Sequence, residues 1–276
     1  MDESADTTPP RARGRRPPQG EAVLRRAARI LEAFDDDDRH LSLGQISARA
    51  GLPMSTASRL ASQLVALGML DRDPSGTFGV GLRLWELASL AEPTVSLRGA
   101  VAPLLDDLVA VTRQHVQLVV RDGDEAVVLD RRDGQEALPV HYHVGGHVPL
   151  VPTAAGLVLL AAGGSTLLET LIEQGDYRWP TFESPRPSGA ELRQQVAQVR
   201  RADIAVLRRP TSPVVSVGVP VRDRHGRVVA AIGMIVPADG LPVSRIEPLL
   251  RATARAADRA LAAGEGARAQ PDWSRW

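Results

Sequence analysis

The chain has 276 residues, 43% of them apolar, which is enough for two domains that each bury a core. Cysteine is absent, which excludes a disulfide framework, a thiolate metal site and a cysteine nucleophile. The 33 acidic and 33 basic residues cancel, and the basic ones are all arginine, so a nucleic-acid reading has to rest on where the arginines stand.

Residues 1–20 are polar and rich in proline and arginine, and MDESADTTPP lacks the apolar stretch of a secretory signal, so the segment is expected to be disordered when free. Arg11, Arg13, Arg15 and Arg16 within it read either as a solubilising leader or as an arm on DNA phosphates. From Glu21 a helical period sets in, with Val23, Ala27, Ile30 and Phe34 on one face and Leu24 and Leu31 beside them. It ends at Asp35-Asp36-Asp37-Asp38, a solvated loop that must face away from any DNA. Ser42 with Gln45 makes a capping box for a short helix whose inward face is Leu43, Ile46 and Ala50. Gly51 ends that helix, and Pro53 suits the first turn of the next.

In that next helix Ala57, Leu60, Leu64 and Leu67 form the buried stripe, while Ser55, Ser58, Arg59 and Ser62 fall on the opposite face. Short hydroxyl side chains let a helix sit deep in a major groove, and one arginine can read a guanine bidentately. GMLDRDPSGTFGVG then reads as a hairpin, with strands near Met69–Arg72 and Thr77–Val80 around a turn at Asp73-Pro74-Ser75-Gly76. Helix, capped helix, glycine turn, helix and glycine-tipped hairpin make a winged helix-turn-helix, with Arg72 and Thr77 placed to meet the DNA backbone or minor groove.

Leu82–Leu90 reads as a linker helix broken at Glu92-Pro93, and a longer helix follows from Leu97 to about Arg113. HVQLVVRDGDEAVVLDRRDG is a hairpin turning at Asp122-Gly123-Asp124, and Leu138–Val144 reads as a further strand. Helices are expected near Thr153–Ala162, Thr166–Gln174, Gly189–Ala202 and Val243–Ala263, with strands at Val214–Val221 and Val228–Val236. The fold class is α+β, an antiparallel sheet covered by helices behind the N-terminal winged helix. The expected division is 1–20 tail, 21–81 winged helix-turn-helix, 82–96 linker helix, 97–264 effector-binding domain and 265–276 C-terminal tail.

Three stretches, LSLGQISARAGLPMSTASRLASQLVALGML with its wing, GGHVPLVPTAAGLVLLA, and VVSVGVPVRDRHGRVVAAIGMIVP, together resemble the IclR family of bacterial transcriptional regulators. The resemblance implies a winged helix, a linker helix and a GAF-like domain that binds a small molecule. It also implies a homodimer or dimer of dimers on palindromic double-stranded operator DNA, acting as repressor or activator in the cytoplasm. Carried over by position, the DNA-reading residues are Ser55, Thr56, Ser58 and Arg59, with Ser62 on the same face and Arg72 and Thr77 in the wing; the chain departs from the family at Met54 and Ser58. The effector pocket maps to Ala154, Ala155, Val214, Ser216, Gly233 and Ile235. Period-2 geometry independently puts Val214 with Ser216, and Gly233 with Ile235, on one face. The segment ADIAVLRRPTSP lacks the acidic pattern of relatives, and no cation is evident in the mapped pocket, so a neutral or largely apolar ligand is expected, with Gly233 leaving room for it.

His141 and His143, with His147 nearby, raise a second reading, a metal-dependent enzyme fused to a DNA-binding module. No carboxylate completes such a site at recognisable spacing, and the motifs G-x-S-x-G, GxGxxG and the phosphate loop are all missing. The chain is therefore expected to be a regulator without catalytic residues, metal or cofactor. Its longest apolar run, Val148–Ala162, is too short to cross a bilayer.

Overall fold

The structure, a computed structural model, describes residues 22–35, 38–90, 92–138, 142–175, 186–208 and 212–265. The chain divides into two units between Ser89 and Leu90.

In the first unit, α1 (Val23–Leu31), α2 (Leu43–Ala50) and α3 (Met54–Ala66) close on one small core. Ile30, Ile46, Ala57, Leu60, Ala61 and Leu64 fill it with Leu41, Leu70 and Phe78. The capping box forms as the spacing predicts: the Gln45 amide donates to Ser42 Oγ and the Ser42 amide to Gln45 Oε1, which satisfies two otherwise orphaned donors. Gly51 closes α2 in the left-handed conformation, φ +58°, where a side chain would be strained. Pro53 stands one position earlier than expected, as the residue that caps α3.

Two apolar expectations are corrected here. Val23 and Leu24 are exposed because α1 reaches the core through its last turn, at Ile30, and the chain just after it, at Ala33. Leu67 is exposed because α3 ends at Ala66 and the left-handed Gly68 turns the chain into the wing; Ala61 takes its place in the stripe. The wing strands β2 (Leu70–Arg72) and β3 (Phe78–Val80) pair antiparallel, and a two-residue strand β1 (His40–Leu41), not foreseen, pairs with the other edge of β3. The short helix α4 (Leu82–Ala88) buries none of its residues.

The second unit begins with α5 (Glu92–Thr112), which starts five residues earlier than expected. Pro93 falls in the first turn, where its missing N–H removes no helical bond, so the proline opens this helix and does not delay it. Six antiparallel strands follow: β4 (His115–Asp122), β5 (Glu125–Arg132), β6 (His147–Pro149), β7 (Ala205–Arg208), β8 (Val214–Arg222) and β9 (Val228–Pro237). Their order across the sheet is β6-β5-β4-β9-β8-β7. No strand covers Leu138 or Tyr142–Val144, and residues 139–141, including His141, lie outside the described residues; β6 supplies the edge instead. β7 was not foreseen.

Period-2 alternation gives the sheet two apolar faces. Val215, Val217, Val219 and Val221 pack with α5 and α9 (Val243–Glu265), while Val119, Val128 and Ala231 pack with α6 (Ala154–Ala162). α7 (Gly164–Gln174) and α8 (Gly189–Ala202) complete that second layer through Leu168, Leu171, Leu192 and Val196. Every residue of α6 from Ala154 to Ala161 is buried, so this helix is held between the sheet and α8.

Candidate DNA-binding and effector sites

On α3, Ser55, Arg59 and Ser62 are exposed and Thr56 and Ser58 half-buried, on the side away from the Ala57–Leu60–Leu64 stripe. Among the described residues Arg59 makes no hydrogen bond or ion pair, so its five N–H donors remain open. Arg49 differs: its guanidinium binds the Asp35 carboxylate at 2.9 Å and that of Asp38, which ties the acidic loop back onto α2. Asp36 and Asp37 lie outside the described residues.

The wing turn is built around one carboxylate. Asp73 accepts from Ser75 Oγ at 2.6 Å, Thr77 Oγ1 at 2.6 Å and the Thr77 amide at 3.0 Å. The Ser75 and Thr77 hydroxyls hold its pKa down to about 2. Thr77 has thus spent its hydroxyl proton inside the turn and shapes the wing without a donor to offer phosphate. Arg72 lies over the Phe78 ring, 5.1 Å from its centre, with Nε 3.4 Å from the Gly76 carbonyl oxygen. It remains exposed.

In the second unit Gly233, alone of the sequence-mapped strand residues, is placed against the start of α6, beside Ala155. The register aligns Ala205, Gly218, Gly233, Gln117 and Arg131 in one row across β7, β8, β9, β4 and β5. The row beside it is Leu207, Ser216, Ile235 and His115. A Cβ at Gly218 would stand 2.7 Å from the backbone of Ala154 and Ala155, so the helix start rests on this glycine. At Gly233 a Cβ would stand 3.1 Å from the Ala155 methyl and 3.4 Å from Gln117 Cγ. The open room expected at Gly233 is therefore not there; the glycine exists for close approach of α6. Beyond the helix start, Val214, Ser216 and Ile235 remain half-buried, a strip of sheet that α6 does not reach.

Sequence reasoning missed the polar end of this strip. His115 is wholly buried, and its Nδ1 lies 2.6 Å from Asp133 Oδ1. Asp133 in turn accepts from Arg131 Nε at 3.0 Å, and Arg131 also donates to the Tyr142 carbonyl. Burial pushes the His115 pKa below its usual value of 6.5 against the pull of Asp133. Burial raises that of Asp133, but hydrogen bonds from Arg131 and His115 outweigh it and keep the carboxyl ionised. A neutral ring beside an ionised carboxylate carries its proton on Nδ1. His147, the third histidine of the metal reading, pairs with Glu125 at 3.2 Å.

Comparison with known proteins agrees with this architecture. The family model for the bacterial transcriptional regulator IclR C-terminal domain matches residues 93–261, and that for the IclR helix-turn-helix domain matches residues 23–74. The chain belongs to the IclR family. It is a helix-turn-helix transcriptional regulator with a C-terminal effector-binding domain. Among its relatives, the HTH-type transcriptional regulator XynR of Escherichia coli is 29% identical over 214 residues, covering 76% of this chain and 84% of the relative. The regulator TtgV of Pseudomonas putida is 34% identical over 188 residues, covering 67% and 70%. An IclR homologue from Microbacterium hydrocarbonoxydans, solved in complex with 4-hydroxybenzoate, superposes with a TM-score of 0.79 at 29% identity, covering 88% of this chain and all of that one. Among the described residues of this regulator, no helix is long and apolar enough to cross a membrane.

Proposed function

We propose that this regulator reads a two-fold symmetric operator with the exposed face of α3. Arg59 makes the base-edge contact, Ser55, Thr56, Ser58 and Ser62 make shorter polar contacts, and Arg72 tracks the backbone from the wing. The observation that carries this reading is the open guanidinium of Arg59 at the centre of a face of short hydroxyl side chains. A dimer suits the exposed apolar residues of the same unit, above all Trp85, 63% exposed on α4. The chain acts in the cytoplasm and carries no catalysis of its own.

The effector lies on the strip of Val214, Ser216 and Ile235 left open beyond the start of α6. Ala154, Ala155 and Gly233 form its inner wall. Its body is small, largely apolar and aromatic, in keeping with the strip and with the 4-hydroxybenzoate bound by the similar Microbacterium protein. A carboxylate on it would face the positive end of the α6 dipole, in the first turn that Thr153 Oγ1 caps at the Gly156 amide. Selection of bound duplexes from a random pool should return an inverted repeat, and 4-hydroxybenzoate should raise the melting temperature and change operator affinity. An asymmetric site, or no response to any small aromatic acid, would refute the corresponding half.

A further inference from the structure

Gln117 stands at the junction of the two rows described above, only 3% exposed, between His115 and Gly233. Its side-chain Oε1 and His115 Nε2 are 3.5 Å apart, a contact too long to satisfy either group. Among the described residues the other end of the amide, which lies 3.5 Å from the Cβ position of Gly233, has no hydrogen-bond partner. This nitrogen is not sealed in, since the fully buried side-chain atoms without a partner among the described residues are Arg26 Nε and Gln114 Oε1, so the way the amide is oriented calls for an explanation.

The chain Arg131–Asp133–His115 supplies it. Because Asp133 holds the ring proton on Nδ1, His115 Nε2 carries a lone pair and accepts. An amide oxygen facing that lone pair is repelled, so the network favours the flipped amide, N–H toward the ring and carbonyl oxygen toward Gly233, beside the start of α6. A carbonyl oxygen there accepts hydrogen bonds and offers none.

We propose that Gln117 is a specificity residue of the effector site, held by His115 as a positioning residue, and that it selects ligands bringing a hydroxyl or other hydrogen-bond donor to that end. This rests on the effector-site reading above. A donor finds its partner, whereas an isostere without one leaves a buried acceptor unpaired, which sites of this kind reject by about tenfold or more.

The test compares 4-hydroxybenzoate with 4-fluorobenzoate, nearly the same shape but with no O–H, by calorimetry on the full chain. Wild type should bind the hydroxyl compound at least tenfold more tightly. Gln117→Leu should bring the two affinities within about twofold by weakening the hydroxyl compound alone, a pattern that a merely structural role for Gln117 would not give. His115→Phe should do the same, and it keeps a ring in the core while Asp133, half-exposed, keeps Arg131 as its partner. Equal binding of both probes by wild type, or a tenfold preference surviving in Gln117→Leu, would overturn the proposal and leave the effector site standing. Binding of neither probe would remove the aromatic-acid reading of the site and this proposal with it.

Discussion

Gly218→Ala is the sharpest probe of how the effector domain is held together. The added Cβ would meet three backbone atoms of Ala154 and Ala155 at 2.7–2.8 Å, where ordinary contact begins at 3.4 Å. Backbone cannot rotate aside as a side-chain end can, so β8 and the start of α6 must separate by about 0.7 Å, and α6 is buried along almost its whole length. Overpacking of this kind costs about 1–3 kcal/mol, and replacing glycine by alanine returns about 0.4–1 kcal/mol through the unfolded chain. The net expectation is a loss of about 1–2 kcal/mol. Gly233→Ala meets only the Ala155 methyl and the Gln117 side chain, at 3.1 Å and beyond, and should cost less than about 1 kcal/mol. Gly99→Ala, in the interior of α5 with nothing within 4 Å, should stabilise by up to about 1 kcal/mol. Urea unfolding of the three variants, followed by circular dichroism, gives the order directly. A Gly218→Ala protein as stable as Gly233→Ala would refute the close seat of α6 on β8.

Arg59→Ala should weaken operator binding by about 1–3 kcal/mol and relax sequence preference at one base position, measured by gel shift across a set of operator variants; unchanged affinity in the folded variant would remove Arg59 from the interface. Asp73→Ala should leave global unfolding nearly unmoved while speeding amide exchange at Thr77 and weakening operator binding, because the wing turn loses its three acceptor contacts. Its pH dependence has a definite sign: with the folded carboxyl held at about 2 against 3.8, the turn is fully ordered above about pH 4 and loosens as the pH falls toward 2. For His115 the folded pKa lies below 6.5, so the unfolded chain takes up the proton first; stability is complete above pH 6.5 and is lost as the pH falls below it. The difference in melting temperature between wild type and His115→Phe should therefore shift between pH 7.5 and 5.5, and a difference constant over that range would contradict a buried neutral ring.

The winged helix was legible almost residue by residue because its signals are local. Ser42 with Gln45, the glycine at 51 and the Asp-Pro-Ser-Gly turn each act within a few residues, and each appears where the spacing puts it. The errors have one cause. Val23, Leu24 and Leu67 follow the helical period, but a period gives direction only and does not say where the neighbouring elements stop. The same holds at Glu92-Pro93, where one dipeptide can end a helix or open one, and the chain resolves the ambiguity in favour of opening. β1 and β7, two and four residues long, carry too few alternations to be read and exist because a partner strand offers an unpaired edge.

The proposed effector site was legible in half for a related reason. Alternation put Val214 with Ser216 and, separately, Gly233 with Ile235, and the register, which sets Ser216 opposite Ile235, brings the two pairs onto one face. What alternation cannot supply is the third strand. β4 lies beside β9 only because the chain returns after more than a hundred residues, and that return sets His115 against Ile235 and Gln117 against Gly233. HVQLVV carries a signal all the same: a histidine and a glutamine two apart on an otherwise apolar strand share one face and need partners there. Asp133, at the end of the adjoining strand of the same hairpin, was available to answer it, since antiparallel pairing through the Asp122–Asp124 turn places Val116 opposite Arg132 and so sets His115 beside Asp133. The polar end of the proposed site is thus written in a local hairpin, while its apolar wall is written in a contact between distant segments. On the proposed site, ligand specificity and domain stability would therefore change separately: substitutions at Gln117 would alter what the strip recognises, and those at Gly218 whether α6 stays on the sheet.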